Sequence, residues 1–161
     1  MKKIGLISNN KASKAIRIAK EVYDYLTGKK VEVLLLKGDS MPENVKLPVV
    51  PVNDFSSQAE LIVSIGGDGT FLRAARYSFI RQVPVMGINV GNLGFMAEVE
   101  IKNRFAALDN LLSGSYSIEE RMLLELVLFR NGKALYKEPG TFIALNEFTV
   151  SRNIMGKIID I

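Results

Sequence analysis

The stretch that decides the fold is Ser64-Ile65-Gly66-Gly67-Asp68-Gly69-Thr70. An apolar run from Leu61 to Ile65 stops at two glycines, and an acid, a further glycine and a hydroxyl residue follow. Beyond Thr70, Phe71, Leu72, Ala75 and Phe79 fall at helical spacing. The pattern predicts a buried strand, a tight turn and a helix running to about Phe79. N–H groups at a helix start lack partners within the helix, and the helix dipole favours negative charge there. Such a turn suits an anion, and glycines let phosphate oxygens approach the backbone without a Cβ in the way. Asp68 is the odd residue. A carboxylate beside phosphates is repelled unless it has a specific task, either taking a proton from an attacking hydroxyl or holding Mg2+. The bland alternative is a helix-capping aspartate in an ordinary glycine turn.

On the N-terminal side, Lys3 to Ser8 reads as a strand. Ala15, Ile16, Ala19, Val22, Tyr23 and Leu26 then mark a helix that Gly28 is expected to close. Val31 to Leu36 is a continuous apolar run, as expected of a strand covered on both faces. Strand, helix, strand implies a right-handed parallel unit. Gly38 to Ser57 is broken by Pro42, Pro48 and Pro51 and reads as irregular, with Val49 to Val52 a candidate short strand.

On the C-terminal side, Arg73 lies close enough to the turn to reach a phosphate, whereas Arg76 reads as a solvated charge. Pro84 to Ile88 is another strand, and it enters a second glycine-rich loop, Asn89-Val90-Gly91-Asn92-Leu93-Gly94-Phe95. Two glycine loops at the carboxyl ends of strands suit the rule that open parallel sheets bind ligands there, although this loop alone is also what an ordinary turn looks like. Phe105, Leu108, Leu111 and Leu112 mark a helix closed by Gly114. From Ser117 the spacing becomes that of strands: Met122, Leu124, Leu126 and Leu128 alternate with Leu123, Glu125, Val127 and Phe129. Asn131-Gly132 is a type I′ hairpin signal, a further strand covers about Phe142 to Arg152, and another begins at Lys157. The expected architecture is therefore an α/β N-terminal domain with a parallel sheet over residues 1–100. A linker helix and the first strands of an incomplete, sandwich-like antiparallel β domain follow over residues 101–161. The run from Lys157 to Ile161 reads as a strand in progress, which suggests a piece of a longer chain.

Composition narrows the chemistry. Of the 161 residues 48% are hydrophobic, enough for a domain core, and no apolar run approaches the ~20 residues of a membrane span. Ile4 to Ile7 is too short for a signal-peptide core. There is no cysteine and no histidine, so disulfides, thiolate metal sites and histidine acid–base chemistry are excluded. A cytoplasmic location is expected. The net charge of +4 is spread without runs, which fits anionic small molecules better than nucleic acid.

Three blocks in order, Gly66-Gly67-Asp68-Gly69-Thr70, Asn89-Val90-Gly91-Asn92-Leu93-Gly94-Phe95 and Ala144-Leu145-Asn146-Glu147, resemble the NAD kinases, which make NADP from NAD with ATP or polyphosphate. The first block alone is shared with 6-phosphofructokinases and with diacylglycerol and sphingosine kinases. The resemblance implies that Asp68 is the catalytic acid, accepting the proton of the 2′-hydroxyl of the adenosine ribose. It places Gly66, Gly67, Gly69, Thr70 and Arg73 at the phosphates and Asn89, Gly91 and Phe95 in the nucleotide site. Asn146 and Glu147 would hold the adenosine half of NAD, with Lys157 as a nearby basic residue. It implies Mg2+ carried with ATP, no metal ligand from the protein, and homodimers or homotetramers built through the β domain. It implies neither nucleic acid nor membrane as a partner. Arg121 matches a recurrent pattern but can equally anchor the first strand of the β domain. Met96 stands where leucine is usual, a volume-conserving change. The family's later glycine-, serine- and threonine-rich block is absent, so a polypeptide ending at Ile161 would be expected to bind NAD weakly. The competing readings are a lipid or sugar kinase sharing the first turn and a non-catalytic NAD-binding module or sensor.

Overall fold

Apolar side chains alternate along the central strands, and each alternate set finds its own layer of helices. The computed structural model describes residues 2–36, 49–79, 81–91, 94–135 and 142–149. They fall into two compact units, Met1–Ile118 and Glu119–Ile161.

In the first unit the elements run β1 (Lys3–Ser8), α1 (Ser13–Gly28), β2 (Glu32–Leu36), β3 (Val49–Val50), α2 (Val52–Gln58), β4 (Leu61–Gly66), α3 (Asp68–Ser78), β5 (Val85–Asn89) and β6 (Val99–Glu100). A short 3-10 turn, Ile101–Asn103, leads into α4 (Arg104–Ser113). The six strands form one sheet in the order β3-β2-β1-β4-β5-β6, parallel throughout. Parallel neighbours need crossover connections, and these put helices on both faces. Ile4, Leu6, Val33, Leu61, Val63, Ile65 and Ile88 pack on one side with α1 and α4, through Ile18, Val22, Leu26, Leu108 and Leu111. Ile7, Leu34, Leu36 and Ile62 pack on the other side with Phe55 of α2 and Ala74 of α3.

The sequence reading meets the structure with some differences. Helix α2 lies in the stretch expected to be irregular. It is short, it follows Pro51, and its Asn53 and Asp54 read as turn formers. Helix α1 runs through Gly28, and the left-handed position that follows is held by Lys30, with φ 63°. Gly114 closes α4 with φ 80° as expected. Helix α4, which the division at residue 100 grouped with the β region, packs in the first unit. Tyr25 of α1 stacks on Phe105 at 4.6 Å between ring centroids, and Arg104 pairs with Glu21 at 2.6 Å.

The second unit holds shorter strands than the alternation suggested. β7 (Leu124–Glu125) pairs antiparallel with β10 (Ile143–Ala144), and β8 (Phe129–Arg130) with β9 (Lys133–Ala134). Between β8 and β9, Asn131 and Gly132 take φ 52° and 72°, the two positive values of a type I′ turn. The expected strand through Arg152 reaches only Ala144 among the described residues. The expected strand beginning at Lys157 lies outside them, as do Pro42, Pro48, Asn92 and Leu93.

Phe55 is the largest of the fully buried side chains and stands edge-on to Tyr77, 6.3 Å between centroids. Phe55→Ala removes most of the α2 contribution to its layer and is expected to destabilise the first unit by about 3 kcal/mol. Urea denaturation followed by circular dichroism checks this, and a loss below about 1 kcal/mol would contradict the packing described.

Candidate active site

Strand order locates the crevice. β1 sends its connection back over β2, whereas β4 sends its connection over β5, so the direction of winding reverses between β1 and β4. In open parallel sheets ligands settle outside the carboxyl ends of the strands at that reversal. A cavity of about 380 Å³ lies there, lined by Ser8 at the end of β1, by Asn9, Asn10 and Lys11 just beyond it, and by Gly67, Gly69, Thr70 and Arg73 after β4. Gly67 precedes the first residue of α3 in an extended conformation, φ −103° and ψ −168°. Its carbonyl accepts from the N–H of Thr70 at 2.9 Å and of Phe71 at 3.2 Å, and no side chain caps the helix. Arg73, one turn into α3, donates from Nη2 to the Ser8 carbonyl at 2.6 Å, which ties the helix to the end of β1. The wall of the cavity thus combines a helix start, glycines, Lys11 and Arg73, all suited to an anion. The contribution of Asn9 to Lys11 was missed in the sequence. Its only signal would have been the position of β1 beside β4, which depends on the strand order.

Asp68 is not among the residues that line this cavity. Its Oδ2 accepts from the N–H of Phe95 at 3.0 Å, and its Oδ1 accepts from those of Met96 at 3.1 Å and Ala97 at 3.3 Å. These amides, Phe95 first, hold its carboxyl below the ordinary aspartate value against an opposing effect of burial. The turn therefore presents two chemistries side by side: donors toward the cavity, and an anionic acceptor tied to the second glycine loop.

The remaining expected residues fall into three groups. Gly66 is buried at the end of β4, and a Cβ there would overlap the side chain of Thr70. Asn89 is 3% exposed and serves its own loop: Oδ1 accepts from the N–H of Gly91 at 2.9 Å, and Nδ2 donates to the Ala97 carbonyl at 3.4 Å. Phe95 is 93% exposed, and its backbone N–H donates to Asp68. In the second unit, Asn146 and Glu147 are exposed just after β10, and Arg121 pairs with Glu119 at 3.1 Å. Lys157 lies outside the described residues. Among the described residues no three acids cluster as a metal cage, and no helix is long and apolar enough to cross a membrane.

Comparison with known proteins agrees with these features. Residues 4–116 match the model of the ATP-NAD kinase N-terminal domain. An NAD kinase of Heliobacterium modesticaldum is 36% identical over 152 residues, covering 94% of this chain and 52% of the relative. One from Thermococcus gammatolerans is 36% identical over 159 residues, covering 98% of this chain and 54% of the relative. The crystal structure of yeast NADH kinase complexed with NADH shares the fold, with a TM-score of 0.66 over 78% of this chain and 39% of that one, at 20% identity. The chain spans about half the length of the curated relatives it matches. A parallel sheet with a glycine–aspartate turn at its winding reversal, a second glycine loop closed on the aspartate, and a family match over residues 4–116 lead to one conclusion: the chain belongs to the ATP-NAD kinase family.

Proposed function

We propose that this chain supplies the phosphate-binding turn and the acid of an NAD kinase that transfers a phosphoryl group from ATP or polyphosphate to the 2′-hydroxyl of the adenosine ribose of NAD. The observation that carries the reading is the turn itself: Gly67, Gly69, Thr70 and Arg73 line an anion-suited cavity, while the neighbouring Asp68 carboxylate is held by the amides of Phe95 and Met96. Phosphoryl transfer needs alignment and charge neutralisation more than covalent help. The donor's phosphates take the cavity against Lys11 and Arg73, and the NAD ribose approaches Asp68. As the ribose oxygen bonds to the γ-phosphorus, the bond to the leaving phosphate oxygen breaks, and the ribose proton passes to Asp68. Phe95, Asn146, Glu147 and Lys157 are assigned to the adenosine side on the family resemblance. Asn89 and Gly91 act there by shaping the second loop.

A divalent cation such as Mg2+ belongs with the donor's phosphates in this reading. The described residues offer it no cluster of three acids. No step is assigned to it.

Three outcomes follow from this assignment. The polypeptide as the cell makes it should form NADP from NAD and ATP, and NAD should raise its melting temperature while fructose 6-phosphate and sphingosine should not. Asp68→Asn keeps the shape and removes the base, so NADP formation should drop on the order of 10²–10⁴-fold; wild-type turnover in this variant would sink the role given to Asp68. The folded carboxyl titrates below its unfolded value, so its amide contacts stabilise the fold above the ordinary carboxylate range. That contribution is lost as pH falls through the depressed value. The melting temperature of wild type should therefore exceed that of Asp68→Asn near neutral pH, and the gap should close in strong acid. A gap independent of pH would count against the contacts described.

A further inference from the structure

Among the described residues, the second glycine loop and the segment after it reach Asp68 through backbone amides, and one residue there controls how closely that backbone can come. The amides of Phe95, Met96 and Ala97 all reach the carboxylate, and a Cβ on Gly94 would overlap the carboxylate itself. The far end of the loop has no slack. Ala97 is buried, its carbonyl accepts from Asn89, and its Cα lies 2.8 Å from where a Cβ on Gly87 of β5 would stand. An extra atom at position 94 is therefore relieved by displacing Asp68, because the return of the loop over β5 is already in contact.

Resting on the reading of Asp68 as the acting acid, we propose that Gly94 is a positioning residue, whose missing side chain lets the Phe95–Ala97 amides fix the direction in which the Asp68 carboxylate faces the acceptor hydroxyl. Neither the glycine turn nor the family match assigns this role to position 94. The loop acts on rate through orientation, and it does not itself touch the reacting atoms.

The test is a double-mutant cycle with an exchange measurement beside it. In the polypeptide as the cell makes it, Gly94→Ala should lower kcat about 10- to 100-fold. KM for NAD and for ATP should change less than about threefold. In an Asp68→Asn background the same substitution should cost nothing further. A loss of equal size in both backgrounds would overturn the proposal, because Gly94 would then act through the fold alone. In the 161-residue chain, the Phe95–Ala97 amides of Gly94→Ala should exchange with solvent at least about tenfold faster, with the β4 amides unchanged. Unaltered protection at those three amides would overturn it as well. Full turnover in Gly94→Ala beside a large loss in Asp68→Asn removes this proposal alone. Full turnover in Asp68→Asn removes the reading of Asp68 and the proposal with it.

Discussion

Six parallel strands must be covered on both faces, and that constraint organises everything else in the first unit. Each crossover helix starts near a carboxyl end, so the loops that enter the helices collect at one edge of the sheet. The apolar alternation of Ile4, Leu6 and Ile7 already divides between the two layers within one strand. With the core settled in this way, the carboxyl edge can carry glycines and charges that contribute nothing to packing.

At that edge the two glycine loops are joined by a carboxylate. Asp68 belongs to the first turn of α3, and its three donors belong to the segment entering β6. An aspartate in a helix's first turn suits the helix dipole, and backbone donors suit its charge. Both effects favour the ionised form. The turn thus holds an ionised carboxylate next to residues that line a cavity with Lys11 and Arg73.

Much of this could be read before any coordinates. β1, β2, β4 and β5 announced themselves as apolar runs, and α1, α3 and α4 by their spacing, because buried elements leave a periodic mark. Helix α2 did not, since seven residues after a proline with Asn53 and Asp54 resemble a loop. α1 does end at Gly28, but the left-handed position after it is held by Lys30, where glycine would usually be expected. At the site, the glycine–aspartate turn was legible from residue types alone. The partners of Asp68 were not, because amide donors carry no side-chain signature. Nor was the lining from Asn9 to Lys11, which depends on β1 and β4 being neighbours. That the Asn89 amide also braces its own loop was not legible either, since a buried asparagine after a strand carries no mark of its partners.

The position of β1 has a consequence for how the chain is built during synthesis. Of the six strands of this sheet it leaves the ribosome first, yet it lies in the middle, and Ile4 must wait for Leu61 to pair on its inner side. Until β4 has emerged, the nascent chain can assemble only the β1–α1–β2 edge, with one flank of a highly apolar strand still unpaired. Closing so distant a contact is slow relative to local structure. The interval before β4 arrives is therefore when a growing chain is most exposed to sticking to its neighbours, and when a chaperone would have most to protect.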